Sequence, residues 1–207
     1  MVQYKLVYFN GRGLAEASRQ LFHLARVPFE DHRLTEKEFE HLKPTLPTGQ
    51  VPILYIDGLE YSQSTAIARY LARKFGFSGK TPEEELLADG IVDTFKDWIN
   101  SFKLLAEVIL FGKTPEDVMK VREEVAKPAA NVYFSYLNKI LAKNSSGFLV
   151  GDSLTWADLV VADNLTSCLN TEVLDESEEP RLAEFRRTIL KTEELKDYFE
   201  KRPVTTL

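Results

Sequence analysis

The chain has 207 residues, a net charge of −6 with both signs interspersed, and 44% hydrophobic residues. That allows one large domain or two small ones with a substantial core, and the acidic balance argues against a nucleic-acid partner. A single cysteine, Cys168, excludes an intrachain disulfide framework, and His23, His32 and His41 stand without metal-ligand spacing, so no metal is expected.

Gln3 to Phe9 alternates in part and is rich in Tyr, Leu, Val and Phe, which predicts a strand. Asn10-Gly11-Arg12-Gly13 breaks it. From Leu14 the period becomes helical, with Leu14, Ser18, Leu21, Phe22 and Ala25 on one face. A short strand is predicted around Phe29 to Arg33, and a short helix over Glu36 to Lys43, ended by Pro44. Val51-Pro52 then enters an apolar run, Ile53 to Ile56, where a proline removes a ladder donor and is open to the cis form. Asp57-Gly58 is a hairpin signal. Gln63-Ser64 opens a helix carrying Ala66, Ile67, Tyr70 and Leu71. The order β-α-β-α-β-β-α defines an α/β unit of about 75 residues.

Phe75 to Thr81 reads as a linker, after which only long helices are predicted. Leu87, Ile91, Phe95, Trp98, Phe102, Leu105 and Ile109 form one stripe. Val118, Val121, Val125, Val132, Tyr136 and Ile140 mark another helix, with Pro128 as a kink. Thr155-Trp156-Ala157-Asp158 has the spacing of a capping box before a helix that is apolar on most sides. Two further helices follow, around Arg181 to Leu190 and Glu193 to Lys201. The predicted boundaries are residues 1–78 and 82–207.

Two stretches hold candidate chemistry. Tyr8 ends the first strand just before a turn into a helix, the edge where open α/β sheets bind ligands. A tyrosine there either packs as a strand-end aromatic or donates its O–H to an anion, with helix N–H groups adding positive potential. Residues 50–65 join a proline-entered strand to a helix N-terminus flanked by hydroxyl and amide side chains. That is either an ordinary cap or a carboxylate site. Cys168 lies in an apolar helix and reads as a buried, inert thiol. The chain enters its first strand directly after Met1, and no apolar run reaches membrane-spanning length. A cytoplasmic protein without membrane contact is the expectation.

Tyr4-Lys-Leu-Val-Tyr-Phe-Asn-Gly-Arg-Gly-Leu-Ala-Glu16 resembles the opening of sigma-class glutathione transferases, in their nematode branch. Thr48-Gly-Gln-Val-Pro-Ile-Leu54, Gln63-Ser-Thr-Ala-Ile-Ala-Arg-Tyr-Leu71, Gly151-Asp-Ser-Leu-Thr-Trp-Ala-Asp158 and Lys201-Arg-Pro203 resemble later motifs of the same class, in the same order. The resemblance implies a thioredoxin-like N-terminal domain with cis Pro52 and an all-α helical C-terminal domain. It implies a cytosolic homodimer that binds glutathione as co-substrate, with small hydrophobic electrophiles taken at the domain cleft. Tyr8 matches the catalytic tyrosine. Lys43 matches a lysine on the glycine carboxylate of glutathione. Gln50 and Val51, between Gly49 and Pro52, match positions that hold its backbone. Gln63 and Ser64 match the pair on its γ-glutamyl end. Asp97 matches an acid that reaches the neighbouring subunit's site, and Phe39 stands where the class has tryptophan. Asn10, Gly13, Leu14, Leu104 and Phe111 are the implied lining of the electrophile pocket.

The resemblance also carries the related prostaglandin D synthases, but this chain departs from them. They have arginine at position 14 and tryptophan at position 104, where Leu14 and Leu104 stand here. Their acidic metal cluster is interrupted by Lys96 between Asp93 and Asp97. Conjugation of glutathione to hydrophobic electrophiles in detoxification, with peroxide reduction as a further activity, is therefore expected. Carriage of hydrophobic ligands such as haem, or a prostaglandin D synthase-type isomerisation, are the alternatives.

Overall fold

In the computed structural model, which describes residues 2–207, Tyr4–Phe9 forms β1. It pairs in parallel with β2 (Glu30–Leu34), placing Tyr8 opposite Arg33. On its other side it pairs antiparallel with β3 (Ile53–Ile56), with Val7 opposite Ile53. A two-residue turn leads into β4 (Leu59–Ser62), whose Ser62 lies opposite Ile53. Asp57 and Gly58 have φ of 49° and 85°, the left-handed pair that suits the strand twist. The Asp57 carboxylate also accepts the Gln3 N–H at 2.8 Å, tying the turn to the start of β1. The sheet order is β2-β1-β3-β4.

The period-two alternation of β1 sends Tyr4, Leu6 and Tyr8 to one face and Val7 and Phe9 to the other. On the first face lie α1 (Glu16–Leu24), entered through a short 3-10 turn at Gly13–Ala15, and α3 (Ser64–Phe75). Leu6, Leu21, Phe22 and Leu71 are fully buried, and the Phe22 ring lies 5.2 Å from Tyr4 and 5.7 Å from Phe75. Each such side chain stabilises the fold by about 1.5–3 kcal/mol. On the second face Val7, Leu34, Leu46 and Ile53 form a core closed by Phe9, Phe39, Leu42, Val51 and Tyr55. Phe39 and Leu42 come from α2 (Glu36–Leu42), which begins at a Thr35–Glu38 capping box.

The chain divides into two compact units. One is the described chain up to Ser78 together with Leu190–Thr205; the other is Gly79–Ile189 with the last two residues. The first break falls inside the linker read from the sequence; residue 1 of the predicted first domain lies outside the described residues. The prediction kept residues 190–205 with the helical domain, whereas in the structure they cluster with the sheet. The reason is a buried carboxylate on α1, whose partners are supplied by Tyr198 and Arg202.

The second unit is helical. Its first helix, α4 (Pro82–Leu110), starts five residues before the apolar stripe that predicted it. The Thr81 hydroxyl accepts from Glu84 N–H at 3.2 Å and Pro82 occupies the first turn, where its missing N–H leaves nothing unpaired. Next come α5 (Pro115–Val121), a π-helical turn at Arg122–Ala126, and α6 (Lys127–Lys143). The kink expected at Pro128 is met by that π turn just ahead of it. Proline gives no N–H to the preceding turn and its ring crowds the carbonyl there, so the hydrogen-bond ladder shifts by one residue. Trp156–Asn170 forms α7, nearly all of it buried. At its start the Asp158 carboxylate accepts from the N–H of Leu149 at 2.7 Å, and from the N–H and O–H of Thr155 at 2.7 and 2.8 Å. Burial pushes the Asp158 pKa up to about 6, against the pull of those donors. Trp98 on α4 donates its indole N–H to Asn164 on α7 at 2.9 Å. Pro180–Leu190 forms α8 and Lys196–Lys201 the closing α9.

Candidate functional site

The sheet register gathers the candidates of the first unit on one edge. The row Val7, Ile53, Ser62 crosses three neighbouring strands. One residue further along stand Tyr8 on β1, Pro52 before β3 and Gln63 after β4. Adjacent strands lie about 4.8 Å apart, so this row spans about 10 Å, the length of an extended tripeptide. The first turns of α1, α2 and α3 open on the same edge, because each follows the strand end that reaches it.

The Tyr8 ring is half-buried, and its hydroxyl oxygen accepts the Leu14 N–H at 3.2 Å. A donated N–H polarises the phenol and makes its O–H a stronger donor. Gly13 allows this approach. Its φ is +41°, and a β-carbon there would stand 2.6 Å from the Tyr8 oxygen and 3.0 and 3.2 Å from two ring carbons. The sequence reading placed Gly13 and Leu14 in a pocket lining; both meet the tyrosine hydroxyl directly. Asn10, in the same turn, accepts from Arg33 at 3.3 Å.

Phe39 meets Phe9 edge to face at 4.9 Å, and the Lys43 ammonium lies 5.9 Å from the Phe39 ring centre. A β-carbon on Gly49 (φ +62°) would lie at ordinary contact distance, 3.7 Å, from the Lys43 side chain. Gln50 is exposed, Val51 half-buried, and the Val51–Pro52 bond is cis. Gln63, the N-cap of α3, has φ 78° and ψ 104°, and its side chain makes no cap hydrogen bond. A left-handed backbone at a residue with a side chain costs about 1–3 kcal/mol and persists where surroundings impose it, commonly at binding sites. Ser64 follows as the first residue of α3.

Asp97, Leu104 and Phe111 belong to the second unit. Asp97 and Leu104, seven residues apart, lie on one side of α4, Phe111 caps its C-terminal end, and all three are exposed. Leu104 and Phe111 are 49% and 73% accessible, against complete burial of Leu105. Asp93 and Lys96 are exposed on the same helix. Among the described residues no group of three or more His, Cys, Asp or Glu could hold a metal ion. Cys168 is buried.

Sequence reasoning passed over the ions behind Tyr8. Arg19 is fully buried, and its guanidinium carbon lies 5.8 Å from the Tyr8 ring centre. It pairs with Asp31 at 3.0 Å and lies 3.6 Å from Glu16, which is 1% exposed. Glu16 and Arg19 stand three apart on a helix that also carries Gln20 and His23, so the sequence alone reads them as a solvated pair.

A mixed four-stranded sheet with a tyrosine at its strand end and a cis proline beside it, followed by a helical unit, is the architecture of the glutathione-binding transferases. Residues 4–73 match the family model described as glutathione S-transferase, N-terminal domain, and residues 96–202 match the C-terminal domain model. Glutathione S-transferase 3 of Caenorhabditis elegans is 60% identical over 205 residues, covering 99% of both chains. A Nu-class transferase structure from Haemonchus contortus has a TM-score of 0.87 at 42% identity, covering all of both chains. A monomeric transferase structure from Necator americanus has a TM-score of 0.91 at 40% identity, covering 99% of this chain and all of that one. The chain belongs to the glutathione S-transferase family.

Proposed function

We propose that the sheet edge binds glutathione and that the Tyr8 hydroxyl donates to its sulfur as the thiolate attacks a hydrophobic electrophile. The observation that carries this is the Tyr8 oxygen, held by the Leu14 N–H over a glycine, on the same edge as Pro52 and Gln63. Lys43, beside Phe39 and Gly49, takes the glycine carboxylate. Gln50 and Val51 hold the peptide backbone in the manner of an added strand. Gln63 and Ser64, at the N-terminus of α3, take the γ-glutamyl end. Asp97 is assigned to the partner subunit's site.

The energetics limit what Tyr8 does. A free thiol of pKa about 8.5 is about 3% ionised at pH 7. Lowering that pKa to about 6.5 makes roughly three-quarters thiolate, a gain of about 25-fold that corresponds to about 2.7 kcal/mol of preferential anion binding. A less basic thiolate is about 8-fold less nucleophilic for a Brønsted slope of about 0.45. The net gain of about 3-fold is small, so most acceleration comes from holding thiolate and electrophile together. Tyr8 acts as a neutral donor that fixes the sulfur. Asn10, Gly13 and Leu14, in the turn after Tyr8, receive the electrophile; few polar handles among them mean breadth of substrate rather than selectivity.

The chain is assigned to the nematode, sigma-like branch, supported by its opening motif and by relatives from nematodes. A cytosolic detoxifying homodimer is the form proposed. Exposed Leu59, Tyr61 and Tyr70 on β4 and α3 support a covered face. Sedimentation at micromolar concentration tests this against a monomer. The chemistry is tested by retention on immobilised glutathione and by turnover of a chloronitrobenzene. Tyr8→Phe should keep glutathione affinity, lose most of the conjugation rate and raise the pH at which bound thiolate absorbance appears. An unchanged pH profile in Tyr8→Phe refutes the role.

A further inference from the structure

This inference rests on the reading of Tyr8 above. Glu16 and Arg19 are one turn apart at the start of α1, and burying two ions costs several kcal/mol each unless partners surround them. Their partners form a series that alternates in sign. Arg202 reaches Glu16 at 2.6 Å, Glu16 lies 3.6 Å from Arg19, Arg19 pairs with Asp31 at 3.0 Å, and Asp31 pairs with Arg33 at 2.8 Å. Glu16 also accepts the Tyr198 hydroxyl at 2.8 Å and the Gln20 amide at 3.1 Å. Burial pushes the Glu16 carboxyl up, but Arg202 and these donors outweigh it and hold its pKa below the ordinary value.

The rest of the Arg19 fork goes to the turn behind Tyr8. Nη1 donates to the carbonyl of Gly11 at 2.6 Å and to that of Arg12 at 3.4 Å, and Nη2 donates to Phe9 at 3.2 Å. These carbonyls bracket the backbone between Tyr8 and Gly13, the stretch that decides where the hydroxyl stands. A planar guanidinium can serve three carbonyls and two carboxylates at once, and a lysine ammonium cannot. The series carries three cations against two anions, and its central cation, Arg19, lies 5.8 Å from the Tyr8 ring centre, a charge that favours an anion at the hydroxyl.

We propose that Arg19 is the positioning residue for thiolate activation: it fixes the Phe9–Arg12 turn against Tyr8, and the C-terminal segment holds it in that pose through Arg202 and Tyr198 on Glu16. Arg202 and Tyr198 thus connect the last helix to the chemistry without touching substrate.

The experiment is a double-mutant cycle on the full chain. The rate of chloronitrobenzene conjugation, the KM for glutathione and the pH midpoint of bound thiolate absorbance are measured for Arg19→Lys, Tyr8→Phe and the pair. Arg19→Lys should lower the rate about tenfold or more, raise the thiolate midpoint and change the KM for glutathione less than about threefold. In the Tyr8→Phe background the same substitution should change the rate less than about twofold, because its effect passes through the hydroxyl. Arg202→Gln, at the edge of the network, should act in the same direction by about threefold and serves if Arg19→Lys does not fold. Losses that multiply in the double variant overturn the inference, as does a lower melting temperature with the thiolate midpoint unmoved. If Tyr8→Phe itself retains rate and midpoint, the Tyr8 reading falls first and the inference with it.

Discussion

Gly13→Ala tests the geometry of the tyrosine without removing its hydroxyl. The added methyl would start 2.6 Å from the Tyr8 oxygen, and ordinary contact begins at 3.4 Å, so the hydroxyl must move by about 0.8 Å. Two ring carbons at 3.0 and 3.2 Å prevent the ring from turning in place to make room, so the whole side chain or the turn must shift. A misplacement of about 1 Å at a reacting centre costs about a hundredfold. The expected loss in kcat/KM is therefore about 30- to 100-fold, with the glutathione KM nearly constant because Lys43, Gln63 and Ser64, proposed to hold the two ends of glutathione, are untouched. Alanine at φ +41° adds backbone strain of about 1–2 kcal/mol, and a melting temperature lower by about 2–8 °C. Gly58→Ala is the matched control: φ is +85° there and nothing lies within 4 Å. It should lower the melting temperature to a similar degree and leave the rate alone. Steady-state rates on a chloronitrobenzene, thiolate absorbance against pH and thermal melts of both variants decide it. A Gly13→Ala enzyme with native rate and native thiolate midpoint would refute the argument.

Gln63→Gly should have opposite effects on stability and binding. Relief of the left-handed backbone makes it neutral to stabilising by up to about 1 kcal/mol, while glutathione binding weakens; a stable variant with unchanged affinity would remove Gln63 from the site. Asp158→Ala leaves the Leu149 and Thr155 N–H groups without their acceptor, a loss of about 2–5 kcal/mol measurable by urea unfolding. The network at Glu16 sets an acid limit. Its folded pKa lies below the ordinary 4.5, so its stabilisation is present above that value and is lost as pH falls through the lowered one. Arg202→Gln should flatten that acid limb of stability against pH, and an unchanged limb would exclude Glu16 as its source.

The hairpin and the strand edge were legible because their signals are local. Asp57-Gly58 demands left-handed backbone at both positions, and the alternation around it fixes which residues share a row. The start of α4 was hidden only because its first turn carries Glu83, Glu84 and Glu85 and not apolar residues; Thr81 and Pro82 were the usable signs. Pro128 announced an interruption, but not that a π turn would absorb it. Tyr8, Pro52 and Gln63 were singled out through motifs, and the register explains why those three share one sheet edge. Arg19 and Glu16 were missed for a physical reason. On a helix that alternates apolar and polar residues, a charged pair reads as the solvent side. Glu16 takes its far partners from Tyr198, 182 positions away along the chain, and Arg202, 186 away. No local pattern contains that information.

The return of residues 190–205 to the sheet also bears on the order of synthesis. Glu16 leaves the ribosome 182 residues before Tyr198, a wait of roughly ten to forty seconds at the usual rates of elongation. During that interval the first unit can form its strands but must keep the Glu16 carboxylate hydrated or protonated. Arrested nascent chains should show this as protease cleavage around Gly13 that disappears once residue 202 has emerged. Cleavage there that is equally slow before and after that point would mean the sheet closes without its last helix. Residues made 182 and 186 positions later thus complete the partners of Glu16.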